Sequence, residues 1–425
     1  MTVTTMLLLF AVLMALGMPI GFAMSLSAAT VLLLFETVPL VLLPQLFYTS
    51  IDNFSLLAIP LFVFAGALMS IGGITDQIVT LARAMIGHRR GGLAQANVVS
   101  NTFMAAVSGS AAADVAAVSS IMIPAMSKAG YPKPFAVAVT SSAAMLAPVL
   151  PPSIIAVIYA SVMGLSVGKL FLAGVIPGIL CALAIMALTW HYAWRNNMPL
   201  DARVDWSARW QAFLKAAPAL GMPALIIGGI VTGIFTATEA GAIACVYAMI
   251  YCSMQKKICG QRLFDALIES ALIAGTALVV LAGAALFSWV LIRSGASAGL
   301  IDAIMGLSSE PGVIVAVILF VLFLIGIFME PVPALVLTAP LLSTATSTLG
   351  LDPMSFGIAV IMMLIVGSVT PPVGVLAMIA CRIARIPYAS TFKAIIPFTV
   401  LWLVIIAVIV AVPTLSNFLP NLLTE

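Results

Sequence analysis

Long stretches without a charged residue alternate with short polar segments along this chain of 425 residues. A helix needs about 20 apolar residues to cross a bilayer, and several uncharged runs exceed that length. They include 1–35, 53–75, 134–168, 216–238, 270–292, 353–381 and 394–424. The pattern predicts an all-α polytopic membrane protein.

Composition narrows the class further. Hydrophobic residues make up 63% of the chain and charged residues 7%, whereas a soluble domain carries about 25% charged residues. We therefore expect no sizeable soluble domain.

The net charge of +3 does not favour a nucleic-acid partner. The cysteines and histidines lack the spacing of a disulfide framework or a zinc site. The first 21 residues contain no Lys or Arg, so we expect a first span there and not a signal peptide.

Glycines and prolines recur at a constant shift of 220 residues. The matched positions are Gly21 with Gly241, Gly130 with Gly350, Pro151 and Pro152 with Pro371 and Pro372, and Pro177 with Pro397. Matches without a gap over most of each half indicate an internal duplication.

The basic residues of the two halves lie on opposite faces. Residues 83–90 of the first half hold a basic cluster, and the equivalent place in the second half has none. Segment 36–53 has no base, whereas its counterpart carries bases within 256–262. Because Lys and Arg stay cytoplasmic, the swap predicts an inverted-topology repeat, the plan of many secondary transporters. Lys169 and Arg293 would lie outside and break the pattern.

Three parts follow from the repeat. They are a first inverted repeat over 1–194, a cytoplasmic connector over 195–215 and a second inverted repeat over 216–425. An amphipathic segment of the connector, with Trp206, Trp210 and Phe213 on one side, is expected to lie at the membrane interface.

The helices of each half are predicted in the same order. Residues 3–35 form one long tilted helix or two short spans, and two spans fit the inversion better. The remaining first-half elements are an in-plane helix near 38–50, a span at 54–82, a re-entrant hairpin at 91–128, a broken span at 134–163 and a span at 168–194. The second-half elements are spans within 217–255, an in-plane helix near 261–271, a span at 272–293, a hairpin at 311–346, a broken span at 354–382 and a final span at 388–412.

Each predicted hairpin has a tip that suits an ion. In "VSGSAAADV", Ser108 and Ser110 interrupt an apolar helix, and their hydroxyls and the nearby carbonyls suit a cation. Close packing of small residues is the alternative.

In the second hairpin Glu330 lies between apolar residues and prolines. An acidic residue at membrane depth marks a functional site or a carboxylate favoured by a helix N-terminus. For Asp114 we expect a capping role.

Paired prolines interrupt one predicted span in each half, in "APVLPPS" (147–153) and "GSVTPPVG" (367–374). A break in a span leaves free carbonyls on one side and free amides on the other. The carbonyls suit a cation, and the amides of the following half-helix suit an anion. Thr370 adds a hydroxyl to the second break. A simple proline kink is the alternative, but it explains a matched pair poorly.

Five segments together resemble the large membrane subunit of tripartite ATP-independent periplasmic (TRAP) transporters. They are "SGSAAAD", "EPVP", "APVLPPS", "GSVTPPVG" and "GYPKPFAVAV". The resemblance covers essentially the whole chain. It implies an elevator-type, sodium-coupled importer of a small organic acid (a C4-dicarboxylate, sialic acid or similar) in the lipid of the bacterial inner (cytoplasmic) membrane. It also implies two partners, a periplasmic substrate-binding protein and a small four-span membrane subunit. Because the chain starts directly with the large-subunit pattern, we expect the small subunit to be a separate chain.

The resemblance, carried over by position, implies two Na⁺ sites with the substrate between the tips. The first Na⁺ site would use Ser108, Gly109 and Ser110 with the break at Ala147 and Pro148. The second would use Gly326, Met329 and Glu330 with Gly367 and Thr370. The substrate would contact Ser110, Pro152, Ser153, Pro331, Pro372 and Gly374.

Other function classes are weighed against this one. The alternative is a stand-alone sodium- or proton-coupled anion or carboxylate transporter of related inverted-repeat architecture. No HExxH, GxSxG or paired intramembrane aspartate motif indicates an enzyme. No GxxxxGK[ST] motif indicates an ATP-driven pump.

Overall fold

A computed structural model of the chain describes residues 2–35, 38–39, 41–198, 204–257, 259–296, 299, 306 and 310–423. These ranges are helical and contain no β-strand. Within them, eight helices are long and apolar enough to cross a membrane. The predicted all-α polytopic class is confirmed.

The first half begins with two helices where one long helix was the alternative. Gly17 has a positive φ of 82° and separates the first helix from the second, which confirms the break; that each helix crosses the membrane stays a prediction. The helices are α1 (Thr2–Ala15), α2 (Ile20–Phe35), α3 (Leu42–Ile51), α4 (Ala58–Gly72), α5 (Ile74–Ile86), α6 (Gly92–Ser108), α7 (Ala111–Lys128), α8 (Lys133–Ala144), α9 (Ile154–Met163) and α10 (Val167–Arg195).

The described part of the second half repeats the hairpin and the broken span. Its helices are α11 (Trp206–Val231), α12 (Ala237–Met254), α13 (Gly260–Arg293), α14 (Pro311–Phe328), α15 (Pro331–Leu349), α16 (Pro353–Gly367), α17 (Val375–Ala384), α18 (Phe392–Ala411) and α19 (Thr414–Leu423). The pair α6–α7 corresponds to α14–α15 as a hairpin, and α8–α9 corresponds to α16–α17 as a broken span. The division at 194 and 215 stays a prediction.

The predicted single span over 54–82 is wrong. A 3₁₀ helix covers Phe54–Leu57, α4 ends at Gly72, and Gly73 adopts a left-handed φ of 84° before α5 begins. Glycine reaches this conformation at little cost, which is why helices end on it. The chain therefore turns between α4 and α5.

The predicted separation of 261–271 from 272–293 is also wrong, because α13 runs without a break over 34 residues, about 51 Å. In the first half the equivalent helices are separated at Asn53, whose side chain accepts a hydrogen bond from the Ser55 amide at 2.9 Å. The position 220 residues later is Ile273. An isoleucine cannot cap a helix, so α13 continues.

The amphipathic segment of the connector is continuous with a longer helix, and its place at the membrane interface stays a prediction. It forms the first turns of α11, where Trp206 and Trp210 are exposed. Residues 199–203 of the predicted connector lie outside the described residues.

One group of helices is tied together by side chains at a seven-residue spacing. The side chains of Thr238, Cys245 and Cys252 on α12 donate hydrogen bonds to carbonyls of the 54–72 segment, namely Phe54 at 3.0 Å, Leu61 at 3.0 Å and Leu68 at 2.8 Å. Helix α13 packs against α2, α3 and α4. The hairpins, the broken spans, α10 and α18 pack mainly against one another. Helix α5 joins the two groups by packing against α11 and α6.

Candidate functional site

The first hairpin tip is a short turn held by its own serines. Gly109 has a φ of 61° and ends α6, and Ser110 caps α7 by accepting a hydrogen bond from the Ala113 amide at 3.4 Å. The Ser108 hydroxyl accepts from the Ser110 amide at 3.1 Å and donates to the Asp114 carboxylate at 2.6 Å. Both predicted serines are therefore at the tip.

The predicted capping role of Asp114 is wrong. Ser110 occupies the cap position, and Asp114 lies one turn into α7 with a fully buried side chain. Its Oδ1 atom accepts the Ser108 hydroxyl, whereas Oδ2 has no hydrogen-bond partner among the described residues. A buried carboxylate oxygen without a donor is an available ligand for a cation. The sequence did not indicate Asp114 as a cation ligand, because the hydroxyls of Ser108 and Ser110 already accounted for the polar character of the tip.

The first break is closed and internally bonded. All residues from Ala147 to Ser153 are buried, and the Pro151–Pro152 peptide bond is cis. The Ser153 hydroxyl caps α9 by accepting from the Ala156 amide at 3.1 Å, and it donates to the Pro148 carbonyl at 2.6 Å. That carbonyl keeps a second lone pair.

The first tip touches the first break at Gly109. A Cβ atom on Gly109 would overlap the carbonyl oxygen of Pro152. Only glycine permits this approach, since any other side chain would collide with main-chain atoms and strain a positive φ. The first tip and the first break, which carry the predicted residues of the first Na⁺ site, therefore touch at Gly109 and Pro152.

The second tip differs in its capping. Met329 is extended, and Glu330 precedes α15 without a side-chain hydrogen bond to the helix. Pro331 at the first helical position removes one amide that would otherwise need an acceptor. The Glu330 carboxylate instead lies on the walls of two cavities. Hydrogen-bonded capping therefore does not explain this residue.

The second tip touches the second break through two glycines. A Cβ atom on Gly367 would lie 2.7 Å from the Ile327 amide nitrogen, and one on Gly326 would lie 2.6 Å from the Leu364 carbonyl. The Thr370 hydroxyl donates to the Val366 carbonyl at 2.7 Å, which leaves its lone pairs available. The second break therefore meets its own tip, as the first break does.

The two breaks differ in exposure although both contain a cis Pro–Pro bond. Pro372 is exposed and Pro371 is half-buried, whereas Pro151 and Pro152 are buried. Gly374 is buried beneath the Tyr388 ring, and Pro331 is buried at the start of α15. Of the predicted substrate contacts, Ser110 lines the cavity at the first tip, and Pro372 is open to the surroundings.

A cavity of about 580 Å³ lies at the first tip. Its walls include Ser108, Ser110 and Asp114 from the hairpin and three charged residues of α13, namely Arg262, Asp265 and Glu269. The sequence segments of the two tips and the two breaks contain no arginine. Arg262 is distant from the tip in sequence, and only the fold, in which α4 packs against both α13 and α6, brings it to the same cavity wall.

A smaller cavity of about 250 Å³ lies at the second tip and contains Glu330 and Pro333 in its wall. It shares Ile154 and Ile273 with the first-tip cavity. The two tips thus face neighbouring cavities along α13, and these two isoleucines lie between them.

Comparisons with known proteins give the family and the fold of the chain. Residues 7–415 match the family model described as "Tripartite ATP-independent periplasmic transporter, DctM component". The chain is 32% identical to the 2,3-diketo-L-gulonate TRAP transporter large permease protein YiaN of Escherichia coli, over 94% of this chain and 95% of that protein. It is 34% identical to the C4-dicarboxylate TRAP transporter large permease protein DctM of Rhodobacter capsulatus, over 98% and 99% respectively. In fold it is similar to the crystal structure of the YdaH transporter of Alcanivorax borkumensis, with a TM-score of 0.64, 14% identity and coverage of 89% of this chain and 88% of that one.

Proposed function

Because the chain belongs to the DctM family of tripartite ATP-independent periplasmic transporters, we propose that it is the large permease of a sodium-coupled importer of an organic acid. Membership in the family makes it a multi-pass membrane transport subunit and not an enzyme. The single observation that supports sodium coupling is the meeting of a hairpin tip and a helix break in each half. Gly109 approaches Pro152 in the first half, and Gly367 approaches Gly326 in the second.

The first sodium ion would bind between the Ser108–Ser110 tip and the break at Ala147 and Pro148. Helix ends supply carbonyl oxygens there, and hard cations prefer oxygen ligands. The unpartnered Oδ2 of Asp114 would add the negative charge that offsets desolvation of the ion. Because this charge is buried, unlike the exposed Glu330 of the second site, the first site is the stronger candidate of the two.

The second sodium ion would bind among Gly326, Met329 and Glu330 on the hairpin and Gly367 and Thr370 on the break. Main-chain carbonyls, the Thr370 hydroxyl and the Glu330 carboxylate are the oxygen donors available there. The site is more open, since Glu330 and Pro372 are exposed. We therefore expect it to bind sodium more weakly than the first site.

The organic acid would lie along α13, in the cavities that meet at Ile154 and Ile273. The amides at the start of α7 and α9 favour an anion. Arg262 adds a positive charge on the cavity wall, partly countered by Asp265 and Glu269. The names of the two relatives given above suggest a dicarboxylate or a sugar-derived acid as the substrate.

Transport would proceed by an elevator movement of the hairpins and broken spans against the group held by α4, α12 and α13. The three hydrogen bonds between α12 and the 54–72 segment support treating that group as the fixed part. A separate four-span subunit and a periplasmic binding protein would complete the transporter in the bacterial inner membrane.

Uptake into liposomes tests the proposal. The chain is reconstituted with its small subunit, and a binding protein loaded with labelled acid is added outside. An inward sodium gradient is expected to drive accumulation, and replacing sodium by choline should abolish it. Equal uptake in choline would refute sodium coupling. Uptake by the chain alone would instead support a stand-alone carboxylate transporter.

A further inference from the structure

Another cavity, whose wall contains several hydroxyl and amide side chains, lies away from the first hairpin tip. It has a volume of about 370 Å³ and is bounded by α3, Asn53, the end of α9, the second half of α13 and α15. On α13 its polar wall residue is Ser288, whereas Glu269 lines the first-tip cavity. The 19 residues between them correspond to about 28 Å along a helix. The two cavities therefore lie towards opposite ends of α13.

The basic residues place this cavity on the extracytoplasmic side. Lys256 and Lys257 precede α13, so its first turns are cytoplasmic by the positive-inside rule. Its last turns, with Ser288 and Ile292 in the cavity wall, are then outside. Segment 41–53, which supplies Thr49, Ser50 and Asn53, contains no base and agrees with this orientation.

Four hydrogen-bond donors on different elements converge on the cavity without a protein partner. The hydroxyls of Ser161, Ser288 and Ser343 line it, and none of them donates to another residue in the described part of the chain. Helical serines and threonines usually donate to a carbonyl one turn back. Thr49 in the same wall does so, to Gln45 at 2.9 Å. The Asn53 carbonyl accepts from Ser55 at 2.9 Å and leaves the amide nitrogen available.

Among the described residues, the cavity wall contains no charged side chain, unlike the first-tip cavity with its three carboxylates. Two bases that break the positive-inside pattern lie near wall residues in the sequence. Arg293 follows the wall residue Ile292 and stacks on Trp289 at 4.9 Å. Lys169 lies in the first turn of α10, shortly after the wall residue Met163. Asp52, beside Asn53, is the acid nearest in sequence to the wall.

The helices that carry the proposed transport site also reach this cavity. Helix α9 starts at the first break and brings Ser161 to the cavity near its end. Helix α15 starts at the second tip and brings Ser343. A solute bound here would contact α9 and α15, which would move during transport, and also α13, which would stay fixed.

We propose that this cavity is an extracytoplasmic vestibule, which holds a small hydroxylated organic anion before it reaches the hairpin tips. The proposal rests on the proposed transport function. Neutral hydroxyl and amide donors suit the carboxylate and hydroxyl oxygens of such a solute. Lys169 and Arg293 would favour its approach, and the described wall residues include no carboxylate that would repel it.

Thiol labelling tests the vestibule without depending on transport. Single cysteines are introduced as S161C, S288C and S343C into the complete transporter carrying C259S, since Cys259 is exposed. Right-side-out vesicles are treated with one of two membrane-impermeant methanethiosulfonate reagents. One carries an anionic sulfonate group, and the other carries a cationic trimethylammonium group. The control is T232C, on the exposed turn between α11 and α12, which we place on the same side of the membrane.

All three vestibule cysteines should react from outside. Relative to T232C, they should favour the anionic reagent by about 3-fold or more at low salt, and K169Q with R293Q should remove that preference. Lack of external labelling, or an equal or greater rate with the cationic reagent, overturns the proposal. If a lipid chain fills the cavity, the three cysteines should react only after detergent is added, and that result would also overturn the proposal.

Transport kinetics supply a second measurement. Loss of two donors in S288A/S343A should raise KM for uptake about 4-fold or more, with kcat and sodium dependence unchanged. T232V is the control, because its hydroxyl donates to Gly228 at 2.9 Å within its own helix. An unchanged KM in the double variant would overturn the vestibule. Failure of the parent transporter to move any acid would refute the proposed function, and labelling would still report on the cavity.

Discussion

Replacing Gly109 by alanine isolates the contact between the first hairpin tip and the first break. Gly109 has a φ of +61°, and a Cβ atom there would overlap the Pro152 carbonyl oxygen. Gly350 has the same φ of +61°, with no atom within 4 Å of its Cβ position. G350A therefore imposes left-handed backbone strain alone, whereas G109A adds a collision.

The size of the effect follows from these two terms. Left-handed backbone costs an alanine about 1–2 kcal/mol, and both variants share that loss of stability. The collision at position 109 involves main-chain atoms, so the tip has to move away from the break. If one or two ion contacts are lost at about 1 kcal/mol each, sodium binding weakens by about 5- to 30-fold.

The assay is thermal unfolding of the purified transporter over a sodium titration, with choline chloride holding the ionic strength constant. Bound sodium raises the unfolding midpoint, so the titration yields a half-saturating concentration. We expect that concentration to rise in G109A and to stay at the parent value in G350A. Equal sodium affinity in the two variants would refute the idea that the tip and the break share an ion.

Three further substitutions test other parts of the site. Asp114→Asn keeps an acceptor for the Ser108 hydroxyl, now 2.6 Å from Oδ1, but removes the charge on Oδ2. The sodium concentration for half-maximal uptake should rise about 10-fold or more, and an unchanged value would limit Asp114 to packing. Thr370→Val removes the second-break hydroxyl and should raise the same concentration about 3-fold. Wild-type sodium dependence in T370V would exclude the hydroxyl as a ligand. Arg262→Gln should raise KM for the acid about 3- to 10-fold at low ionic strength and less at high ionic strength, and a salt-independent KM would remove Arg262 from the substrate path.

Much of the fold could be predicted because its boundaries are local. Gly109 with Ser110 ends one helix and caps the next, and the Pro151–Pro152 pair interrupts a span, whatever the rest of the chain does. The wrong prediction at α13 came from transferring the break at Asn53 to Ile273. The repeat conserves the path of the chain but not every cap, so each boundary depends on its own residue.

The site was less predictable, since its residues come from distant parts of the chain. Both tips and both breaks carry visible signals in their serines, glycines and prolines. Arg262 carries none, because an arginine near the start of a long helix is unremarkable until the fold brings that helix to the cavity at the first tip. Asp114 was visible, but its unpartnered oxygen was not, since hydrogen-bond satisfaction depends on the surrounding atoms.

The sequence by itself determined that this is a helical membrane protein with two hairpins and two broken spans, whose basic residues change places between the two halves. These features follow from hydropathy and from the backbone limits of glycine and proline, which act within a few residues. Only the tertiary structure decided that each tip touches its own break, that the first break is buried while the second is open, and that polar cavities lie towards both ends of α13. Those features depend on which helices pack together, and close packing between residues far apart in the chain is not encoded in any one segment.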